Sequence, residues 1–138
     1  MRNRFESVQV PAAVAVGGAI GSLLRWSLAS AVTSEDFPWA TLITNLLGSL
    51  LLGVVLAVGE LVGTTWHRHH RKPWARLWRP FLATGVLGGF TTFSTFVLEA
   101  DRLGGTRALA YVGVSMFGGL GVYALGNAWA RRQFGVRA

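Results

Sequence analysis

Residues 85–96 read GVLGGFTTFSTF and sit inside a long apolar run. Gly88 and Gly89 are poor helix formers, and Thr91 and Thr92 are β-branched. A helix interrupted here would free backbone carbonyls at membrane depth. That is tolerated only where protein, water or an ion satisfies them. Gly88 to Thr91 is therefore a candidate cation site built from main-chain oxygens. The competing reading is close packing, because Gly85 and Gly89 also form a GxxxG pair. Phe93 and Phe96 are three apart and share one helix face. An aromatic ring has a positive edge. Rings presented edge-on attract an anion without the grip of a fixed charge, as a site that must release its ion requires. The alternative is packing against lipid or a neighbouring helix. Ser94 and Thr95 lie on neighbouring faces.

Other polar residues stand in apolar surroundings. Asn45 lies in TLITNLLGSLLLG, and a buried amide in lipid needs partners. Its donors can replace water around an anion, or its amide can cap the interrupted helix. Tyr111, Ser115 and Gly119 fall at i, i+4 and i+8, one helical stripe. The two hydroxyls form a polar track on one reading; Ser115 and Gly119 form a small-residue packing pair on the other. Arg25 is the one basic residue well inside an apolar run, and an intramembrane charge is costly. It either draws anions into a pore mouth or is ion-paired, with Glu99 or a lipid phosphate as partner. Glu99 is expected to be structural. His67, His69 and His70 share a loop with Arg and Lys but no Cys or carboxylate. A solvated loop facing lipid headgroups fits that set better than a metal site.

These residues need elements to position them. A membrane helix requires about 20 mostly apolar residues to cross a hydrocarbon core of about 30 Å. Four stretches qualify: about 11–32, 39–62, 81–98 and 108–130. Between them lie a polar TSEDFP loop, a basic aromatic loop from Thr64 to Arg79, and DRLGGTR with two Gly. The expectation is an all-α integral membrane protein, a single four-helix domain over residues 1–138, with a broken third helix. Composition agrees: 51% of the 138 residues are hydrophobic and 14% charged, with 18 Gly. A soluble domain usually carries about 25% charged residues. With no Cys, disulfides, thiolate metal sites and Cys nucleophiles are excluded. There is no Ser-His-Asp set and no phosphate loop, so an enzyme is not expected.

The net charge of +7 sits in blocks between the apolar runs, a pattern of membrane topology rather than of nucleic-acid binding. Arg2, Arg4, Arg68, Arg71, Lys72, Arg76, Arg79, Arg131, Arg132 and Arg137 fall on one side of a four-span topology. Arg102 and Arg107 fall on the other. Ten against two fixes one orientation, with both termini cytoplasmic. Trp39, Trp66, Trp74, Trp78 and Trp129 lie near the expected helix ends, where indole rings favour the headgroup region. Arg2, Arg4 and the Ala29-Ser30-Ala31 triplet imitate a signal peptide. Arg25 interrupts the first apolar run, and the run is longer than a usual signal core, so it is expected to remain as a membrane helix.

GGAIGSLLRW at 17–26, TLITNLLGSLLLG at 41–53 and GVLGGFTTFSTFVLE at 85–99 together resemble the Fluc (CrcB) fluoride channel family, over nearly the whole chain. The resemblance implies four-helix subunits paired antiparallel, two fluoride pores per dimer, and passive export across the inner membrane that protects the cell from fluoride. It implies a sodium ion on the dimer axis, held by main-chain carbonyls at Gly88 and Thr91. Pore phenylalanines match Phe93 and Phe96, the pore Asn matches Asn45, and polar-track residues match Ser94, Thr95, Tyr111 and Ser115. A further hydroxyl of the family's track is Gly119 here. The vestibule Arg matches Arg25, followed by Trp26 where Tyr is commoner. The chemistry is coherent. Fluoride is small and tightly hydrated, and an undersolvated buried ion is very costly. Several neutral donors replace its water without trapping it, and a central cation adds a favourable field.

The charge bias departs from the dual-topology homodimers of that family. This subunit is expected to need an inverted partner encoded separately. Two rivals carry less of the sequence. A small four-helix multidrug exporter needs a membrane carboxylate in its first helix to couple protons, and residues 11–32 contain none. A non-transporting assembly subunit leaves TTFSTF without a role.

Overall fold

The computed structural model describes residues 4–32, 36–66 and 74–135, and these are helical apart from short connections. Helix α1 spans Arg4–Ala31 and α2 spans Trp39–Trp66. The third span is composite: α3 (Trp74–Arg79), a π-helical stretch (Pro80–Leu87), α4 (Gly88–Phe90), a break, and α5 (Ser94–Leu103). Helix α6 spans Gly105–Phe134. Segments Val8–Ala31, Trp39–Glu60, Arg76–Leu103 and Gly105–Phe134 are each long and apolar enough to cross a membrane. At 1.5 Å per residue, the shortest, of 22 residues, reaches about 33 Å and so covers a core about 30 Å thick. The expected four spans are present, and each helical stretch is longer overall than its apolar run because polar end residues continue the helix. Trp66 closes α2 and Trp74 opens α3, at helix ends as expected. His67, His69 and His70, with Arg2, Arg68, Arg71, Lys72 and Arg137, lie outside the described residues.

The break falls inside the expected 85–96 stretch, at its threonines rather than its glycines. Gly88 to Phe90 are still helical, and the chain leaves the helix at Thr91, with φ −76° and ψ 160°. The glycines have another use. A Cβ on Gly89 would run into the Gly18 carbonyl, and one on Gly85 would come within 2.9 Å of Gly17 Cα. The GxxxG pair thus lets the third span close on α1, the packing alternative offered by its spacing. Gly21 lies in the same way against the Val86 carbonyl. Carbonyls pressed onto a glycine face are a close-approach contact that only small residues permit.

Two helix pairs result. Helix α1 packs along the π-helical stretch and α4, while α2 packs along α6, and α1 and α2 touch only slightly. The second pair is also seated on glycine, with Gly126 of α6 against the Leu50 carbonyl of α2. At one end of this pair Arg131 donates to Glu60 and, through Nε, to Asn127 Oδ1 at 2.8 Å; Asn127 Nδ2 donates to the Gly53 carbonyl at 3.2 Å. At the other end the chain reverses at Gly104 and Gly105, both with positive φ. That conformation strains any residue with a Cβ. Helix α5 folds back onto α6 through Phe96 and Tyr111, which join Leu42 in a buried cluster. Elsewhere apolar side chains point outward: Leu109, Met116, Phe117, Leu120 and Leu125 of α6 are exposed, as a lipid-facing helix requires.

Candidate functional site

The centre of the site is the break in the third span. Asn45 holds it from α2: its Nδ2 donates to the Thr92 carbonyl at 3.0 Å, and its Oδ1 accepts from the Thr92 N–H at 2.9 Å. One residue's backbone N–H and carbonyl are therefore both satisfied by one side chain. This is the capping role left open for Asn45 by the sequence, and its second amide hydrogen stays available to a ligand. Gly48, on the next turn of α2, leaves the space that Thr91 Cγ2 fills. Thr91 Oγ1 donates back to the Leu87 carbonyl at 3.0 Å. Thr92 Oγ1 accepts from the Thr95 N–H at 3.3 Å and so caps α5, as Ser and Thr do at helix starts.

These bonds free specific carbonyls. In an unbroken helix the Gly88 carbonyl would accept from the Thr92 N–H, which is given to Asn45. The Thr91 carbonyl would accept from the Thr95 N–H, which is given to Thr92 Oγ1. Gly88 and Thr91 also line an open cavity of about 310 Å³, shared with Asn45, Gly48, Ser49 and Phe93. Main-chain oxygens released from a helix are hard, neutral ligands suited to an alkali cation. The donor set fits the ion expected there.

Phe93 and Phe96 have different surroundings. Phe93 lies in the break and is 77% exposed, whereas Phe96 is 9% exposed. Their ring centroids are 5.9 Å apart with planes at 38°. Phe96 also meets Tyr111, at 5.2 Å between centroids. The Tyr111 hydroxyl donates to Glu99 Oε2 at 2.9 Å, and Thr41 Oγ1 donates to Glu99 Oε1 at 2.9 Å. Both oxygens of Glu99 are engaged, which agrees with its expected structural role. It makes no ion pair with Arg25 among the described residues, so that offered partnership does not exist.

Arg25 instead lines a cavity of about 80 Å³ with Thr41, Thr44, Thr92 and Thr95. Its Nε is buried and without a partner. Thr92 Oγ1 donates to Thr95 Oγ1 at 3.1 Å, which leaves the Thr95 hydroxyl hydrogen for other acceptors. Ser94 is exposed, with its Oγ 3.4 Å from Thr92 Oγ1. On α6, Ser115 Oγ is buried and without a partner. Buried donors left unsatisfied are rare and require explanation. Arg25 and Thr95 line the smaller cavity, Asn45 lines the larger one, and Ser115 is in the lining of neither.

Reasoning from sequence missed Thr41, Thr44, Thr92 and Ser49. Thr41, Asn45 and Ser49 stand at i, i+4 and i+8 on α2. They form a stripe like that of Tyr111, Ser115 and Gly119 on α6, legible in the sequence.

Residues 12–127 match the family described as CrcB-like protein, Camphor Resistance (CrcB). Three relatives carry the name fluoride-specific ion channel FluC. That of Bordetella petrii is 41% identical, covering 86% of this chain and 88% of its own length. That of Thermus thermophilus is 46% identical, covering 82% and 88%. That of Leptospira interrogans serovar copenhageni is 38% identical, covering 88% and 93%.

Proposed function

The chain belongs to the CrcB-like family, and from that membership we propose that it is one subunit of a fluoride-conducting channel that exports the ion passively and lowers its concentration in the cytoplasm. The observation that carries this reading is the pair of buried donors without acceptors, Arg25 Nε and Ser115 Oγ, in a multi-pass membrane protein. In a bilayer such groups are costly unless something accepts from them. An anion does so where no protein carbonyl does. Arg25 draws the ion to the vestibule. Asn45, Ser94, Thr95 and Ser115 replace its water. Tyr111, whose one hydroxyl hydrogen goes to Glu99, backs the pore from behind Phe96, and the ring edges of Phe93 and Phe96 hold the ion loosely.

The assembly in this proposal is an antiparallel dimer in the inner membrane. Phe93, 77% exposed in a membrane segment, and the open cavity beside Gly88 support a second subunit against this face. The carbonyls of Gly88 and Thr91 hold a sodium ion on the dimer axis, which supplies a fixed positive field to the pores. Both termini face the cytoplasm, and the strong charge bias calls for an inverted mate encoded separately.

The test is ion efflux from liposomes reconstituted with this chain, alone and with a candidate mate. Fluoride is expected to leave and chloride to stay, and Phe96→Ala is expected to slow fluoride by at least about tenfold, the effect of about 1.4 kcal/mol. Equal passage of both anions, or of neither, overturns the reading. Full efflux by the chain alone overturns the requirement for a mate.

A further inference from the structure

Ser49 stands midway along the membrane segment Trp39–Glu60 of α2. Serine and threonine hydroxyls in membrane helices commonly donate to the carbonyl four residues back. Those of Ser27, Ser30, Thr44 and Thr91 do so here, at 2.6 to 3.0 Å. Ser49 does not: its hydroxyl makes no hydrogen bond within the described residues. It lines the cavity of about 310 Å³ together with Asn45, one turn earlier on the same face of α2.

On the facing helix, Ser115 and Gly119 are also one turn apart. A Cβ built on Gly119 would lie 3.4 Å from Ser49 Oγ. The Ser49 hydroxyl therefore occupies the neighbourhood that a side chain at position 119 would fill. Gly118, next to it, faces Leu46 of α2 in the same tight contact. Two hydroxyls, Ser49 on α2 and Ser115 on α6, thus stand on packed helices at membrane depth, and both forgo the local carbonyl.

We propose that the Ser49 hydroxyl is an ion-coordinating donor, linking the Asn45 cavity to the Ser115 stripe and supplying from α2 the hydrogen that Gly119 lacks on α6. The inference rests on the fluoride-channel reading above. A hydroxyl held by no protein acceptor turns freely, so it donates to a passing fluoride and then to water, with no bond to the chain to break first. It adds no charge, which suits a site that must release its ion.

The experiment moves the hydroxyl across the helix interface. Fluoride efflux from liposomes is measured for the wild type, S49A, S49T and the double variant S49A/G119S, each with any mate the wild type requires. Because the Ser49 hydroxyl makes no bond within the chain, S49A is expected to melt at the wild-type temperature. It is expected to pass fluoride about tenfold more slowly, the scale of one lost hydrogen bond to a charged group. S49T keeps the donor and is expected to conduct within about threefold of wild type, a difference under about 1 kcal/mol. S49A/G119S is expected to regain most of the lost rate. An S49A variant as fast as wild type overturns the inference, and so do S49A and S49T that are equally slow, because volume then matters and not the donor. A wild type that carries no fluoride overturns the channel reading, and this inference with it.

Discussion

A single amide organises the site at the residue scale. Asn45 satisfies both backbone polar groups of Thr92, and a membrane offers them no water in exchange. Asn45→Leu removes both bonds, and at about 1 kcal/mol for each interhelical bond in lipid it is expected to lower stability by about 2 kcal/mol and to abolish fluoride efflux. Asn45→Asp keeps the acceptor for the Thr92 N–H and places a carboxyl group in the anion path. It is expected to recover part of the melting temperature and none of the efflux. Thermal melting in detergent beside liposome efflux separates the two effects. An Asn45→Leu protein as stable as wild type would contradict the cap. The sequence marked Asn45 as a residue needing partners but left its role open, because its partner lies 47 residues away and only the folded pairing brings them together. Tyr111 shows the same limit. Its stripe was legible, whereas its bond to Glu99 depends on the angle at which α5 returns across α6.

At the element scale, the four spans were legible because each apolar run must match the bilayer, a constraint of length that needs no tertiary information. The break was legible as to helix, since glycine and β-branched residues cluster in one place. Its exact residue within 85–96 was not, because the glycines have two possible uses that spacing does not separate. Gly85 and Gly89 serve the contact with α1 and remain helical, and the interruption falls where Asn45 captures the next N–H. The π-helical winding of Pro80–Leu87 had no signal beyond the proline itself. This difference among glycines is testable. Gly21→Ala places a methyl group against the Val86 carbonyl, whereas Gly121→Ala meets nothing within 4 Å. Overpacking is expected to destabilise the first by about 2 kcal/mol and to leave the second near wild type. Melting curves of the two purified proteins check this, and equal losses would contradict the close approach of α1 to the third span.

For the whole molecule the proposed orientation rests on the charge distribution, and the absence of Cys makes it easy to test. Thr106 and Gln133 are both exposed, at opposite ends of α6. In intact cells, Thr106→Cys is expected to react with a membrane-impermeant maleimide and Gln133→Cys to stay unlabelled until the cells are opened. Labelling of both in intact cells would show that the chain inserts both ways, and would remove the reason for an inverted mate. The order of helix contacts has a further consequence for biogenesis. Each helix finds its main companion two spans later: α1 waits for residues 80–90, and α2 waits for α6. During translation the first two spans therefore leave the translocon as near strangers, each with its glycine face bare. A ribosome stalled in the loop after α2 would release a hairpin with almost nothing to hold it together, an early target for membrane proteases, and the subunit becomes a cohesive body only when its last span has been threaded.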